Sequence, residues 1–159
     1  MLGALMANGQ TAQDFFKEGL AKHKKKDYEG AIKEYNKAIK LIANYRDAYY
    51  NKATCEAILK DNDAALADFG KVIEIDPKYA KGYFGRAQAY ISQDKTKEAL
   101  PDLNAAVKLD YKLPDLLCTR GQVRGLLGDK RGACADFDKA KQLGDANADD
   151  FIEQICNKE

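Results

Sequence analysis

The sequence contains little of what most catalytic and membrane-spanning proteins need. Its 159 residues include one histidine (His23), three prolines and no tryptophan. A single histidine is too few for a metal site built from several imidazoles, and it leaves little room for histidine-based catalysis. Lys and Arg number 26 against 25 Asp and Glu, so the net charge of +1 lacks the positive excess that non-specific binding of nucleic acid requires. The longest uncharged run, residues 1–13, is too short to cross a bilayer.

What the sequence does contain is one pattern that returns at a constant interval, in four copies without insertion or deletion. Small residues stand at Gly19, Ala53, Ala87 and Gly121; alanines stand at Ala31, Ala65, Ala99 and Ala133; large apolar residues stand at Tyr35, Phe69, Leu103 and Phe137. The spacing within each copy is typical of two short amphipathic helices. We expect the small residue of each first helix to pack against the alanine of the second. Asp27, Asp61 and Asp129 are the expected N-caps of the second helices, and Thr96 is the expected cap in the third copy.

This pattern resembles the tetratricopeptide repeat, a 34-residue helix–turn–helix unit. The resemblance covers residues 12–147 and implies an all-α, right-handed α-solenoid of four repeats (12–45, 46–79, 80–113 and 114–147). The tryptophan that the family favours is replaced by Phe15, Tyr49, Tyr83 and Leu117, and its favoured leucine by Glu18, Lys52, Arg86 and Arg120. Residues 148–159 continue the pattern for half a repeat, which predicts a C-terminal capping helix.

The resemblance also implies that the first helices line a concave groove that binds an extended peptide or a partner helix. The residues expected there are Phe16, Lys17, Leu20, Tyr50, Asn51, Thr54, Lys81, Phe84, Gln88, Cys118 and Gln122. The alternative is that the aromatic residues only complete the packing between repeats. Some family members bind the acidic C-terminus of chaperones through a clamp of Lys, Asn and Arg side chains. Only Asn51 and Lys81 match that clamp, and Gly85 stands at its arginine position beside Arg86, which favours a more apolar ligand.

The four cysteines, Cys55, Cys118, Cys134 and Cys156, include no C-x-x-C pair, which disfavours zinc binding and thioredoxin-type chemistry. A nucleophile formed with His23 is not expected, because His23 belongs to the first repeat. Cys55 is expected to be a small buried residue. Cys134 is placed to pack on the terminal helix that carries Cys156, so a Cys134–Cys156 disulfide that staples this helix is one prediction and four thiols is the other.

Residues 1–11 precede the first repeat as an N-terminal arm. Residues 1–10 have the apolar, small-residue character of the end of an export signal but lack a basic start. A trimmed signal implies a periplasmic or secreted bacterial protein, whereas a native arm or vector-derived residues imply a cytoplasmic one.

The sequence thus predicts a non-enzymatic module, without cofactor or metal, that binds a protein or peptide partner, does not bind nucleic acid and has no membrane span. The alternative is a self-assembling solenoid that forms homodimers or larger oligomers through its ends or its N-terminal arm. An enzyme is least favoured, since the sequence shows no nucleophile–base pair, phosphate loop or metal-binding cluster.

Overall fold

The computed structural model describes residues 9–110, 112 and 115–157 of the chain. Most of the predicted arm, residues 1–8, lies outside the described residues, as do Lys158 and Glu159 of the predicted capping helix. The helices are α1 (Ala12–Lys24), α2 (Tyr28–Leu41), α3 (Arg46–Ile58), α4 (Asn62–Ile75), α5 (Ala80–Ile91), α6 (Thr96–Leu109), α7 (Leu116–Leu126), α8 (Lys130–Gln142) and α9 (Ala148–Phe151).

The chain divides into two compact units at the bond between Pro77 and Lys78. The first unit holds α1 to α4, and the second holds α5 to α9. Within each unit consecutive helices pack in pairs, α1 on α2 and α3 on α4 in the first, α5 on α6 and α7 on α8 in the second. This pairing confirms the predicted helix–turn–helix organisation, although the repeat boundaries themselves remain a prediction.

Aspartate side chains begin three of the second helices, as the sequence predicts. Asp27, Asp61 and Asp129 accept hydrogen bonds from the backbone N–H groups of Gly30, Ala64 and Gly132 respectively. The prediction for Thr96 is wrong, because Lys95 occupies the N-cap position and Thr96 is already the first helical residue of α6. The register of the repeat outweighs the local preference of threonine for a cap: Lys95 occupies the position of Asp27, Asp61 and Asp129.

The small residues of the first helices make room for aromatic rings of the second helices. A Cβ atom built on Gly19 would overlap the ring of Tyr35, and one built on Gly121 would lie 2.5 Å from Cε1 of Phe137. The sequence predicted that the partner would be the alanine four residues earlier. The rings of Tyr35 and Phe137 reach across the interface that the alanines only line, so these two positions leave no room for a Cβ atom.

The C-terminal cap segment, which we define as residues 148–156, contains two kinds of helix. α9 ends at Phe151, and residues Ile152–Cys156 continue as one π-helical turn, in which the N–H of Asn157 donates to the carbonyl of Ile152. The wider turn lets Ile152, Ile155 and Cys156 all pack on the core formed by α7 and α8, together with Phe151. The predicted α-helical cap is therefore helical but only partly α.

Candidate functional site

In the first unit the predicted groove residues of α1 form a mixed apolar and basic surface. Phe16 is half-buried; its ring lies 5.0 Å from the ring of Tyr45 and 5.8 Å from that of Tyr35. Lys17 is exposed, and Leu20 keeps 39% of its surface accessible although it is a large aliphatic residue. The neighbouring residues Phe15 and Gly19 are buried. α1 therefore turns one face into the core and leaves an adjacent apolar stripe open.

The matching residues of α3 are half-buried and belong to the same unit. The ring of Tyr50 packs edge-on against Phe69, with 5.9 Å between the ring centres. Asn51 Nδ2 donates to the carbonyl of Asp47, and Thr54 Oγ1 donates to the carbonyl of Tyr50. These two bonds satisfy polar groups of α3 itself, so Asn51 and Thr54 offer a ligand only their remaining hydrogen-bonding capacity. α1 contacts α3 directly, which brings the two sets of residues onto neighbouring helices.

In the second unit α5 presents a similar set. Phe84 is half-buried against the core of this unit, whereas Lys81 and Gln88 are exposed. Gly85 is buried, so the position that carries an arginine in the chaperone clamp has no side chain to offer. Gln122 on α7 is half-buried. The aromatic position thus has the same character on α1, α3 and α5: a half-buried ring that packs against its own unit.

Cys118 departs from this pattern, and its prediction as a groove residue is wrong. Its side chain is only 3% exposed and packs in the core with Leu117 and Ala148. Burial, assisted by a hydrogen bond and the charge of Asp145, raises the pKa of its thiol to about 12. The segment that follows α8, which the sequence predicted as a cap, covers this position through Ala148.

A set of ion pairs between the helices of each pair was missed by sequence reasoning. Lys52 pairs with Asp68 at 2.6 Å, Arg86 with Asp102 at 2.7 Å and Arg120 with Asp136 at 2.6 Å, always with the same separation along the chain. These cations stand where the family favours leucine. The signal was present in the sequence, since the acids also recur once in each repeat, at Glu34, Asp68, Asp102 and Asp136.

In the first repeat the ion pair between the two helices uses other lysines, because Glu18 occupies the position of Lys52, Arg86 and Arg120. Lys22 and Lys37 both donate to the carboxylate of Glu34, at 2.6 and 2.7 Å. Burial alone would favour the neutral acid, but these two hydrogen bonds and charges hold the pKa of Glu34 below its ordinary value. The ion pair between the helices is therefore kept in all four repeats.

In the second repeat a second acid joins the buried pair. Glu56 is 5% exposed, and its Oε1 lies 3.0 Å from Lys52 Nζ, the atom that also binds Asp68. Its other oxygen, Oε2, is buried with no hydrogen-bond partner among the described residues. Burial and the neighbouring charge of Asp68 raise the pKa of Glu56 to about 7. One ammonium group thus serves two carboxylates, and protonation of Glu56 relieves the conflict.

The sequence suggested that His23 lies apart from the cysteines, and this prediction is wrong. His23 Nδ1 lies 3.6 Å from Cys55 Sγ, because the end of α1 lies near the last turn of α3. The pair is still not a nucleophile of ordinary type: Cys55 is completely buried, and burial together with the charge of Glu56 raises the pKa of its thiol to about 11. Cys55 is the small buried residue that its register position predicts.

A disulfide joins Cys134 on α8 to Cys156 in the cap segment, with 5.8 Å between the Cα atoms. Phe151 adds to this attachment by stacking on Phe137, with 5.3 Å between the ring centres. The cap segment is therefore fixed to α8 by one covalent bond and one aromatic contact.

The described part of the chain has neither a metal-binding cluster nor a membrane-spanning helix. It contains no group of three His, Cys, Asp or Glu side chains arranged to hold a metal ion. None of its helices is both long enough and apolar enough to cross a membrane.

The helix pairs and their packing define an all-α helical-repeat solenoid, a fold class of protein–protein interaction modules. A family model described as TPR repeat matches residues 19–54, and two described as tetratricopeptide repeat match residues 47–79 and 80–113. Together these models cover well over half of the chain. The chain belongs to the tetratricopeptide repeat family, whose members are typically non-enzymatic interaction scaffolds.

Individual relatives agree with this assignment. The chain is 42% identical over 52 residues to the uncharacterized protein MJ0572 of Methanocaldococcus jannaschii, a match that spans 33% of this chain and 60% of the relative. The first TPR of Spaghetti (RPAP3) bound to an HSP90 peptide superposes with a TM-score of 0.70 at 21% identity, over 74% of this chain and 95% of that one. YrrB, a TPR protein with an unusual peptide-binding site, gives a TM-score of 0.77 at 19% identity, over 93% of this chain and 79% of that one. At these identities the two structures establish the fold alone.

Proposed function

We propose that this chain is a non-enzymatic adaptor that binds an extended peptide or a helix of a partner protein on the open face of its first helices. We call the residues of these helices, Phe16, Lys17, Leu20, Tyr50, Asn51 and Thr54 in the first unit and Lys81, Phe84, Gln88 and Gln122 in the second, the first-helix surface. The observation that carries the proposal is the repeated arrangement on α1, α3 and α5. Each helix holds an aromatic ring that packs against its own unit and is only half-buried there.

The chemistry of this surface favours a ligand with apolar side chains. Leu20 is an exposed aliphatic group one helical turn after Phe16 on α1, and burying it under a ligand side chain would release the water that covers it. Lys17, Lys81 and Gln88 are exposed donors that can bond the carbonyl groups of a peptide backbone. Rigid aromatic rings lose little conformational freedom when they bind, so they are suitable anchors.

An acidic chaperone tail is the less favoured ligand. The clamp that binds such tails needs an arginine where this chain has the buried Gly85. The adjacent Arg86 cannot substitute, because its guanidinium already makes two hydrogen bonds of 2.7 Å to the carboxylate of Asp102. Of the two residues that match the clamp, Lys81 is exposed but Asn51 donates its amide to the carbonyl of Asp47, so only part of the anion site is available. The HSP90 peptide bound by Spaghetti is thus not the ligand we propose here.

The test is to select peptides from a random library with the purified full chain and to measure the affinity of the best peptide for matched variants. Leu20→Asp and Asn36→Asp each add one negative charge, but Leu20 lies on the first-helix surface and Asn36 is an exposed residue of α2. We expect Leu20→Asp to weaken binding by about tenfold or more, the equivalent of one lost apolar contact, and Asn36→Asp to leave it unchanged. Gln88→Glu and the exposed Gln142→Glu form the corresponding pair in the second unit. Equal effects of the two members of both pairs would refute the proposal.

A further inference from the structure

A cavity of about 380 Å³ lies in the second unit between α7 and the cap segment. It is lined by Gln122, Gly125, Leu126, Phe151, Gln154 and Ile155. Four of these residues are apolar or glycine and two carry neutral amides. The cavity is therefore an apolar pocket with two hydrogen-bonding groups, the composition of a site for one side chain and the backbone beside it.

Leu126 makes one wall of this pocket and is unusually exposed. It is 78% accessible, against 37–46% for the other exposed large apolar residues of the described chain. The residues at the same register in earlier repeats are Lys24, Ile58 and Ser92, so the repeat pattern does not demand leucine here. Gly125 adds no side chain to the pocket. A Cβ atom there would lie 3.7 Å from Ile155, at ordinary contact distance. Space and an apolar surface are thus both available.

The opposite wall is the cap segment, and its position depends on its attachment to α8. Phe151 and Ile155 face the pocket from the turns that the Cys134–Cys156 disulfide and the stack of Phe151 on Phe137 hold in place. Without the covalent bond the last turn would be held only by apolar packing of a short segment, which is marginal for a helix of this length.

The surroundings of the pocket are acidic. Residues 143–157 contain no lysine or arginine but four acids, Asp145, Asp149, Asp150 and Glu153. Lys141 offsets only one of these charges, that of Asp149. The two arginines of α7 do not compensate for the others, because they pair with two further acids: Arg120 with Asp136 at 2.6 Å, and Arg124 with Asp136 at 2.9 Å and Asp129 at 3.8 Å. A cationic ligand is therefore attracted to the rim and an acidic ligand repelled from it.

We propose that this pocket binds one large aliphatic or aromatic side chain of a peptide in which lysine or arginine flanks that side chain, and that the Cys134–Cys156 disulfide builds the pocket by fixing its outer wall. The amides of Gln122 and Gln154 bond the peptide backbone at the pocket mouth. The site shares Gln122 with the first-helix surface but does not rest on the proposed function, because the anchors of that surface, Phe16, Tyr50 and Phe84, do not line it.

The test uses the oxidised full chain and capped synthetic peptides with a central leucine between pairs of lysines. Two matched peptides replace the leucine by serine or the lysines by glutamates. We expect the leucine–lysine peptide to shift the backbone NMR signals of Gly125, Leu126 and Gln154 and to bind about tenfold more tightly than either matched peptide. Equal binding of the leucine and serine peptides, or tighter binding of the glutamate peptide, would overturn the proposal.

Variants of the chain separate the pocket from other surfaces. Leu126→Ser should weaken the leucine–lysine peptide about tenfold, whereas Leu143→Ser, at another exposed leucine that does not line the pocket, should not. Cys134→Ser combined with Cys156→Ser, or reduction of the disulfide, should also weaken it, because either change releases the outer wall of the pocket. If Leu126→Ser instead dissociates a dimer seen by light scattering and leaves peptide binding unchanged, the occupant is a second copy and the proposal is wrong.

Discussion

Arg86 and Asp102 form a two-pronged ion pair between α5 and α6, with Nε to Oδ2 and Nη2 to Oδ1 both at 2.7 Å. The same pair returns one repeat later as Arg120 and Asp136, where Arg124 adds a further bond of 2.9 Å to the same carboxylate. Both aspartates are buried, at 6% and 4% exposure. Each ion pair has a cation where the family favours leucine. Removing that cation would take a partner from a buried aspartate.

The difference between the two pairs predicts a difference in stability. Arg86→Leu should lower the free energy of unfolding by about 3 kcal/mol, because it leaves a buried carboxylate without its partner. Arg120→Leu should cost about 1–2 kcal/mol, since Asp136 keeps Arg124. Urea unfolding of both variants measures the two losses.

The double variant Arg86→Leu with Asp102→Leu is the control for this prediction. It removes both charges and should recover most of the lost stability, as apolar replacements of buried ion pairs often do. If Arg86→Leu and Arg120→Leu cost the same, the second arginine at Asp136 contributes nothing and our account of the ion pairs is wrong.

The close approach of Gly19 to the ring of Tyr35 predicts that alanine is not tolerated there. Gly19→Ala should destabilise the first repeat by about 1–3 kcal/mol, because the added methyl group overlaps a buried ring. Gly125→Ala is the matched control: its Cβ would lie 3.7 Å from Ile155, so it should be neutral or stabilising by about 0.5–1 kcal/mol from helix propensity.

The third repeat of the same chain supplies the rescue. Ala87 and Leu103 occupy the positions of Gly19 and Tyr35 and pack together in one core cluster. Adding Tyr35→Leu to Gly19→Ala should therefore recover part of the stability that the single change loses. A double variant that melts lower than Gly19→Ala alone would contradict this packing argument.

Much of the architecture follows from the sequence because the period repeats local rules four times. The helix pairs, the aspartate caps and the burial of Cys55 each depend on residues that are close in sequence or in register. Cys118 shows what such rules cannot supply: its register position predicts an open surface, but the turn after α8 brings Ala148 over it. The sequence predicted a capping helix after α8, as half of a further repeat, but not that this segment would bury Cys118.

The ion pairs and the contact between His23 and Cys55 were missed for a different reason. Both depend on the position of one helix along the axis of its neighbour, which the periodicity of the sequence alone does not determine. The pairs Lys52–Asp68 and Arg120–Asp136 can be recognised afterwards from their constant separation along the chain. The contact of His23 with Cys55 joins two adjacent repeats at 3.6 Å and has no counterpart in the sequence pattern.

Glu56 predicts a dependence of stability on pH. Its pKa is about 7 in the folded chain against an ordinary value of 4.5, so between these pH values the folded protein holds a proton that the unfolded chain releases. Stability should therefore fall as the pH rises from about 4.5 to about 7 and stay reduced above it. The contribution of this one group is on the order of 1–3 kcal/mol.

Glu56→Gln should remove this contribution, because an amide cannot ionise but can keep the bond to a neighbour. Urea unfolding at pH 5 and pH 8 measures the difference for the native chain, for Glu56→Gln and for Glu98→Gln, a change at an exposed glutamate. A native chain and a Glu56→Gln variant that lose equal stability between the two pH values would show that Glu56 ionises normally.

The disulfide predicts both a stability change and a labelling pattern. Reduction should lower the free energy of unfolding by about 3 kcal/mol, the chain-entropy value for a bond between residues 22 apart. In the reduced, folded chain two thiols, Cys134 and Cys156, should react rapidly with an alkylating reagent. Cys55 and Cys118 should react slowly, because they are buried and the pKa of each thiol is raised. Four thiols in the non-reduced, denatured chain would show that the disulfide does not form.

The most direct test of the account is amide hydrogen exchange of the full chain with and without a peptide selected for binding. If the first-helix surface binds the partner, exchange should slow in α1, α3 and α5, where Leu20, Tyr50 and Gln88 lie. Exchange in the paired helices α2, α4 and α6 should change much less. Slowing confined to those second helices, with α1, α3 and α5 unaffected, would contradict the central claim that the chain binds partners through its first helices.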